Sequence, residues 1–245
     1  MTRHWRAILL AVGLLAPLAV LLWLPPIAQD PAYHALADAR ACLGIPNCFD
    51  VLSNAAFLAV GGFGLTVCLR RPLPGAALSW KVFFGAVTLV AFGSGWYHLA
   101  PDDATLVWDR LPMTVAFMAA FAALLNEHTG ARERVTLPGA IAVGIGSIAW
   151  WLYAGDLRLY AWVQLAPLLA IVLLLAAYPA RYTRRVWLAY ALVFYALAKF
   201  AEAGDHAVYA YTAGAISGHT LKHLLAAIAP LCIALMLVSR KPVAN

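Results

Sequence analysis

Eight runs of about twenty mostly apolar residues divide the chain, at roughly 7–27, 51–69, 79–99, 105–126, 135–153, 159–179, 186–203 and 219–239. A helix needs about 20 such residues to cross the hydrocarbon core of a bilayer, so each run is long enough to span one. Transmembrane strands instead alternate in polarity over about ten residues, which these unbroken runs do not. Together the runs consume most of the 245 residues and leave no room for a separate soluble domain. Composition agrees: 64% of residues are hydrophobic, and only 17 Lys+Arg and 11 Asp+Glu carry charge, whereas roughly a quarter of a soluble domain is charged. A soluble enzyme, a nucleic-acid module and a disordered chain are thereby excluded. The net charge of +6 is spread over short loops between apolar runs, the footprint of a polytopic membrane protein. The chain shows no repeat, linker or low-complexity tract. The expected fold is therefore one all-α polytopic membrane domain, a seven-transmembrane-helix core with one extra N-terminal helix.

Loop charges give an orientation. Arg3 and Arg6, Arg70 and Arg71, Arg132 and Arg134, Arg181, Arg184 and Arg185, and Arg240 and Lys241 fall on one side. Asp30, Asp38, Asp50, Asp102, Asp103, Asp156, Glu202 and Asp205 fall on the other, with only Arg40 and Arg158 as bases. Lys/Arg excess marks cytoplasmic loops, so both termini are expected in the cytoplasm and the acidic face outside. Arg3, Arg6 and the run Ala7–Leu24 resemble a signal peptide, but the run is long for one and Ile27-Ala28-Gln29 is a poor cleavage site. Residues 1–28 are read as a retained, signal-anchor-like helix, 29–50 as an extracytoplasmic loop and 51–240 as the core. Cys42 and Cys48 share that loop, where oxidising conditions permit a disulfide or leave two loop thiols. Cys68 and Cys232 fall within spans as small apolar filler.

Ionisable groups inside spans are costly and mark function by default. Here they gather at one depth on the acidic side: Ser94 and His98 at the end of the third run, Asp109 and Arg110 at the start of the fourth, Lys199, Glu202 and Asp205 ending the seventh, and His219 and His223 opening the eighth. His219 and His223, four apart, project from one helical face, the spacing by which a helix offers two nitrogens to one metal. His98 could supply a third. Three histidines and a water describe a catalytic zinc site with an open position, at which zinc lowers the pKa of the water toward about 7. Asp109 is the candidate for moving that water's proton to a leaving group. Ser94, four residues before His98 and on the same face, is the candidate donor to a developing oxyanion. Each residue also has a bland reading. Helix-end histidines bond carbonyls, Ser94 within Gly93-Ser94-Gly95 allows close packing, and Asp109 caps a helix. Their coincidence at one depth favours a site. His4 and His128 lie at the other side, while His34 and His206 lie on the correct one, His206 as a rival ligand.

As a set, Ser53-Asn54, Ser94 to His98, Asp109 eleven residues later, and His219 to His223 resemble the alkaline ceramidase family over about residues 30–240. That family belongs to a wider group of seven-helix membrane hydrolases that includes the adiponectin and progestin receptors. The resemblance implies a zinc-dependent amidase that cleaves ceramide or a similar membrane lipid into a sphingoid base and a fatty acid. It implies His98, His219 and His223 as zinc ligands, Asp109 as the proton-transfer acid and Ser94 beside the metal. Lys222 matches no family role and is expected to face away from the ligands and snorkel outward. Two departures stand out: the extra N-terminal helix, and a loop without the acidic, Trp-containing stretch that holds calcium in eukaryotic relatives. Asp30, Asp38, Asn47 and Asp50 offer oxygens, but calcium takes six to eight, and Tyr33-His34 and Ala37-Asp38-Ala39-Arg40 look like the version in bacterial members. The competing reading, that these acids cap helix ends and solvate the loop, is the stronger. A bacterial inner membrane is implied, with the site toward the extracytoplasmic side. Two rivals remain open: a lipid-sensing receptor with structural zinc, and a transporter with a His/Asp proton relay, although transporters place such groups nearer the midplane. Substrate headgroup, chain length and oligomeric state are not readable from the sequence.

Overall fold

The computed structural model describes residues 4–73 and 75–243. They form ten α-helices: α1 (His4–Trp23), α2 (Cys48–Ser53), α3 (Ala55–Arg70), α4 (Ala77–Leu99), α5 (Asp103–Thr129), α6 (Glu133–Ala154), α7 (Arg158–Ala177), α8 (Val186–Ala203), α9 (Asp205–Tyr211) and α10 (Gly218–Ser239), with a 3₁₀ turn at Pro31–His34. No strand occurs among the described residues, only two isolated bridges. Eight spans are long and apolar enough to cross a membrane, α2 and α3 counting as one. Arg3, one of the charges used for orientation, lies outside the described residues.

Boundaries follow from local chemistry. The first span ends at Trp23, short of the expected 27, because Pro25-Pro26 supply no N–H donors and bias the residue before them away from helix. The core's first span opens at Cys48, three residues early. Asp102 and Thr105 form a reciprocal capping box at the start of α5. Gly130 and Gly155 close α5 and α6 with φ of 76° and 66°, left-handed values that glycine adopts without strain. Ser217 caps α10 by accepting from Thr220 N at 2.9 Å.

The seven core spans close into a ring in which α3, α4, α5, α7, α8 and α10 pack in succession and α10 returns to α3, with α6 outside α5 and α7. The α4–α5 contact is close for a reason visible in the sequence. Pro112 has no N–H, so the Trp108 carbonyl one turn earlier loses its helical donor. That oxygen presses against Gly93, where an added Cβ would stand 2.0 Å from it. By contrast, α7 and α8 touch only sparsely.

Helix α1 packs outside the ring on α7. Arg158 satisfies carbonyls that the end of α1 leaves orphaned, donating to Leu22 O at 2.9 Å and Leu24 O at 2.5 Å. Asp156 accepts from Ile27 N at 3.2 Å, and Trp162 Nε1 donates to Leu14 O at 2.9 Å. Large apolar side chains such as Ile8, Leu15, Phe92, Trp96 and Phe200 face outward, as lipid-exposed surface requires. At the end of the ring remote from His98, Glu127 accepts from Trp80 Nε1 at 2.7 Å and pairs with Arg240 at 2.7 Å, both carboxylate and guanidinium buried.

Candidate functional site

Five of the residues singled out in the sequence meet at one end of the bundle. Ser94 and His98 sit in the last two turns of α4, Asp109 in the second turn of α5, and His219 and His223 in the first two turns of α10. The three imidazoles form a nearly equilateral group, with ring centroids 4.8, 4.9 and 4.9 Å apart. All three are buried, and one nitrogen from each lies within 4.8 Å of the others. Among the described residues this is the one group of His, Cys, Asp or Glu close enough to hold a metal ion. His223 Nε2 is buried without a hydrogen-bond partner, as a nitrogen reserved for a metal would be.

The surrounding polar groups orient these rings. Ser53 Oγ donates to Asp50 O at 3.0 Å and meets His223 Nδ1 at 2.7 Å. Its single hydrogen is committed to the carbonyl, so toward His223 it accepts. That places the imidazole proton on Nδ1 and leaves Nε2 its lone pair. Asp205, at the start of α9, accepts from His219 N at 2.7 Å and from Ala37 N at 2.9 Å, tying the start of α10 to the loop before α2. Asn47 Nδ2 donates to His98 O at 2.8 Å. Asp50 accepts from Thr220 Oγ1 at 2.6 Å. Ser94 and Asp109 are both buried and line the same cavity as His223.

That cavity, of ≈ 250 Å³, is apolar through most of its depth, with Phe83, Val87, Met113, Phe117, Leu168 and Ile233 among its walls. Its polar end carries Tyr33, Asp109, Arg110, Lys199, Glu202, Lys222 and His223. A second, more polar hollow lies between the 3₁₀ turn and α9; it shares Tyr33 and Glu202 with the first and also reaches His219. Burial and the Glu202 and Asp109 carboxylates push the Tyr33 phenol well above its ordinary pKa, so it stays protonated and donates to Glu202 at 3.3 Å.

Lys222 corrects the sequence expectation. It does not snorkel outward: its Nζ lies 2.8 Å from Glu202 Oε1 and 3.1 Å from His219 Nε2. Glu202 also pairs with Lys199. The signal was present, because residues three apart share a helical face and Lys222 follows His219 by three. His206 is not in the histidine group; its Nε2 faces Ala35 O at 3.0 Å. His34 bridges Tyr97 and Asp103 at 3.0 and 3.1 Å.

The four loop residues weighed as calcium ligands do not gather. Asp30 caps the 3₁₀ turn through Ala32 N at 2.9 Å, and Asp38 grips Arg40 at 2.8 and 2.6 Å. The Arg40 guanidinium holds the Asp38 carboxyl below its ordinary pKa. Asn47 and Asp50 serve the histidine end as described. Cys42 and Cys48 are joined as a disulfide, their Cα atoms 5.5 Å apart, while Cys68 and Cys232 are free and buried.

Fold and site together define a multipass helical membrane protein with a buried tri-histidine centre at the polar end of an apolar cavity. The ceramidase family model matches residues 44–240, and the chain belongs to that family. Comparison with individually curated proteins finds no match.

Proposed function

We propose that the protein is a zinc-dependent amidohydrolase that cleaves the N-acyl amide of ceramide or a similar membrane lipid, releasing an amine such as a sphingoid base and a fatty acid. The observation that carries this reading is the meeting of three buried histidines with Asp109 and Ser94 where an apolar cavity turns polar. The donor set fits zinc. Tetrahedral zinc–imidazole bonds of about 2.0–2.1 Å put ligand nitrogens roughly 3.3 Å apart, and His98 Nε2 and His219 Nε2 are 3.3 Å apart.

His98, His219 and His223 would hold the ion, which supplies Lewis acidity to polarise an amide carbonyl and to lower the pKa of a water toward about 7. The apolar walls would bind the acyl chain and exclude bulk water from the polar end. Asp109 would take the proton released by the attacking water and return it to the amide nitrogen as the C–N bond breaks. Ser94 would donate its hydroxyl hydrogen to the developing oxyanion. Lys222, fixed by Glu202, would add positive charge beside His219 where negative charge grows.

The arginine-rich loops at the opposite end support placing the site on the extracytoplasmic side of a bacterial inner membrane, with residues 1–28 as a signal-anchor helix, 29–50 outside and 51–240 as the catalytic core. The test is to incubate purified wild type and His219→Ala with a ceramide-containing lipid extract and to quantify released amines and fatty acids by mass spectrometry. Wild type alone should release both, and His219→Ala should lose zinc and turnover together. Full activity in the variant refutes the assignment. Wild type that holds zinc yet releases nothing moves a lipid-sensing receptor to the front.

A further inference from the structure

Arg110 is a buried cation with no ion-pair partner among the described residues. It follows Asp109 on α5, is 5% exposed and lines the polar end of the cavity. Aromatic faces surround it: its guanidinium carbon lies 4.4 Å from the Trp151 ring centroid, 4.8 Å from Tyr160 and 5.6 Å from Tyr33. Nη2 donates to Gln29 Oε1 at 2.6 Å, a neutral partner. Nη1 is buried with no acceptor. Among the described residues no carboxylate comes within ion-pair distance of it, whereas Lys222, Arg158 and Arg240 are paired with Glu202, Asp156 and Glu127.

A guanidinium cannot escape this cost by losing its proton. Stacking on aromatic rings offsets only part of it, and an unsatisfied buried donor remains expensive. The polar end as a whole leans the same way, since Arg110, Lys199 and Lys222 face only Asp109 and Glu202. A bound anion would complete the site, and the planar fork of arginine matches a carboxylate.

We propose that the preferred substrate is an N-acyl lipid whose amine half bears a carboxylate, of the N-acyl amino acid type, with the carboxylate held on Arg110 Nη1. This rests on the amidohydrolase reading above. In such a lipid one carbon separates the amide nitrogen from the carboxylate carbon, so the two groups must be received at neighbouring positions. Asp109, assigned to the nitrogen, and Arg110 both line the cavity's polar end. A neutral ceramide headgroup offers Arg110 no charge. A fatty-acid product carries the same carboxylate chemistry, and the test separates the two sources.

Zinc-loaded full-length protein in nanodiscs is given N-palmitoylserine or N-palmitoylserinol, which differ only by carboxylate against hydroxymethyl. Wild type should favour the acid by at least about tenfold in kcat/KM, the order expected when a polar site meets a ligand lacking its partner. Arg110→Gln should collapse that ratio, and Arg110→Lys should restore part of it. A wild-type preference for the serinol amide overturns the proposal, as does an Arg110→Gln variant that loses both activities in proportion. Should Arg110→Gln relieve inhibition by palmitate while the substrate ratio stays put, the carboxylate bound is the product's and the substrate assignment is wrong. Direct binding of N-palmitoylserine to wild type and to Arg110→Gln separates the two readings. Arg110-dependent binding without cleavage of either amide refutes the hydrolase and leaves the carboxylate site, whereas cleavage of the serinol amide alone does the reverse.

Discussion

Removing the Ser53 hydroxyl tests the wiring of the histidine centre without touching a histidine. Ser53 Oγ gives its hydrogen to Asp50 O at 3.0 Å and accepts from His223 Nδ1 at 2.7 Å. In Ser53→Ala the Nδ1–H has no acceptor, and its ring is buried. Leaving a buried donor unsatisfied costs about 1–3 kcal/mol. The imidazole can also revert to the other tautomer, which puts the proton on Nε2 and withdraws that nitrogen from a metal. Loss of an outer partner of a metal-bound histidine typically weakens affinity about 10–100-fold, or about 1.4–2.8 kcal/mol, so two independent routes give the same size. Zinc affinity of Ser53→Ala, measured by competition with a chromophoric chelator in detergent, should therefore fall by about one to two orders of magnitude. A dissociation constant within twofold of wild type would refute the tautomer argument. A lower unfolding midpoint of the metal-free protein with unchanged zinc affinity would assign the hydroxyl to folding alone.

Three further outcomes follow from the packing. Gly93→Ala places a Cβ 2.0 Å from a backbone carbonyl, whereas Gly95→Ala meets nothing within 4 Å; the first should cost about 1–3 kcal/mol by thermal unfolding and lower turnover by parting Ser94 from Asp109, while the second should stay near wild type. Arg240→Ala strands the buried Glu127 carboxylate, and should lower stability by about 3–5 kcal/mol, much of which a paired Glu127→Gln change should recover. The Arg158 guanidinium holds the Asp156 carboxyl below its ordinary pKa, so its contribution is present above the unfolded carboxylate value near 3.9 and is lost as pH falls through the lower folded value. The difference in unfolding midpoint between wild type and Asp156→Asn should thus be constant from neutral pH down to about 5 and shrink in stronger acid.

The spans were legible because a bilayer imposes one length and one composition on every crossing helix. The histidine group was legible for a related reason. Charged and polar side chains are so scarce in these spans that His98, Asp109, His219 and His223 stood out, and topology alone set them at one depth. What escaped was rotation about helix axes. Lys222 was assigned outward, although its spacing from His219 turned it toward Glu202. Ser53 was visible as part of a motif, but its bond to His223 joins positions 170 residues apart, and nothing local encodes that. Asn47 and Asp50 read from sequence as loop-solvating or capping groups rather than calcium ligands, and their bonds to His98 O and Thr220 appear only once the fold brings the loop under α4 and α10. Arg110 was noted only by its depth, since the rings that enclose it come from the loop, α6 and α7.

The sparse contact between α7 and α8 has a kinetic consequence. Both helices wall the cavity, Leu168 and Ile171 on one and Leu192 and Tyr195 on the other, so the thinnest part of the ring faces the acyl phase of the bilayer. A lipid arriving there diffuses in two dimensions and never enters water. Turnover should then track the mole fraction of substrate in the membrane and fall when inert lipid is added, even though the amount of substrate per volume of solution is unchanged.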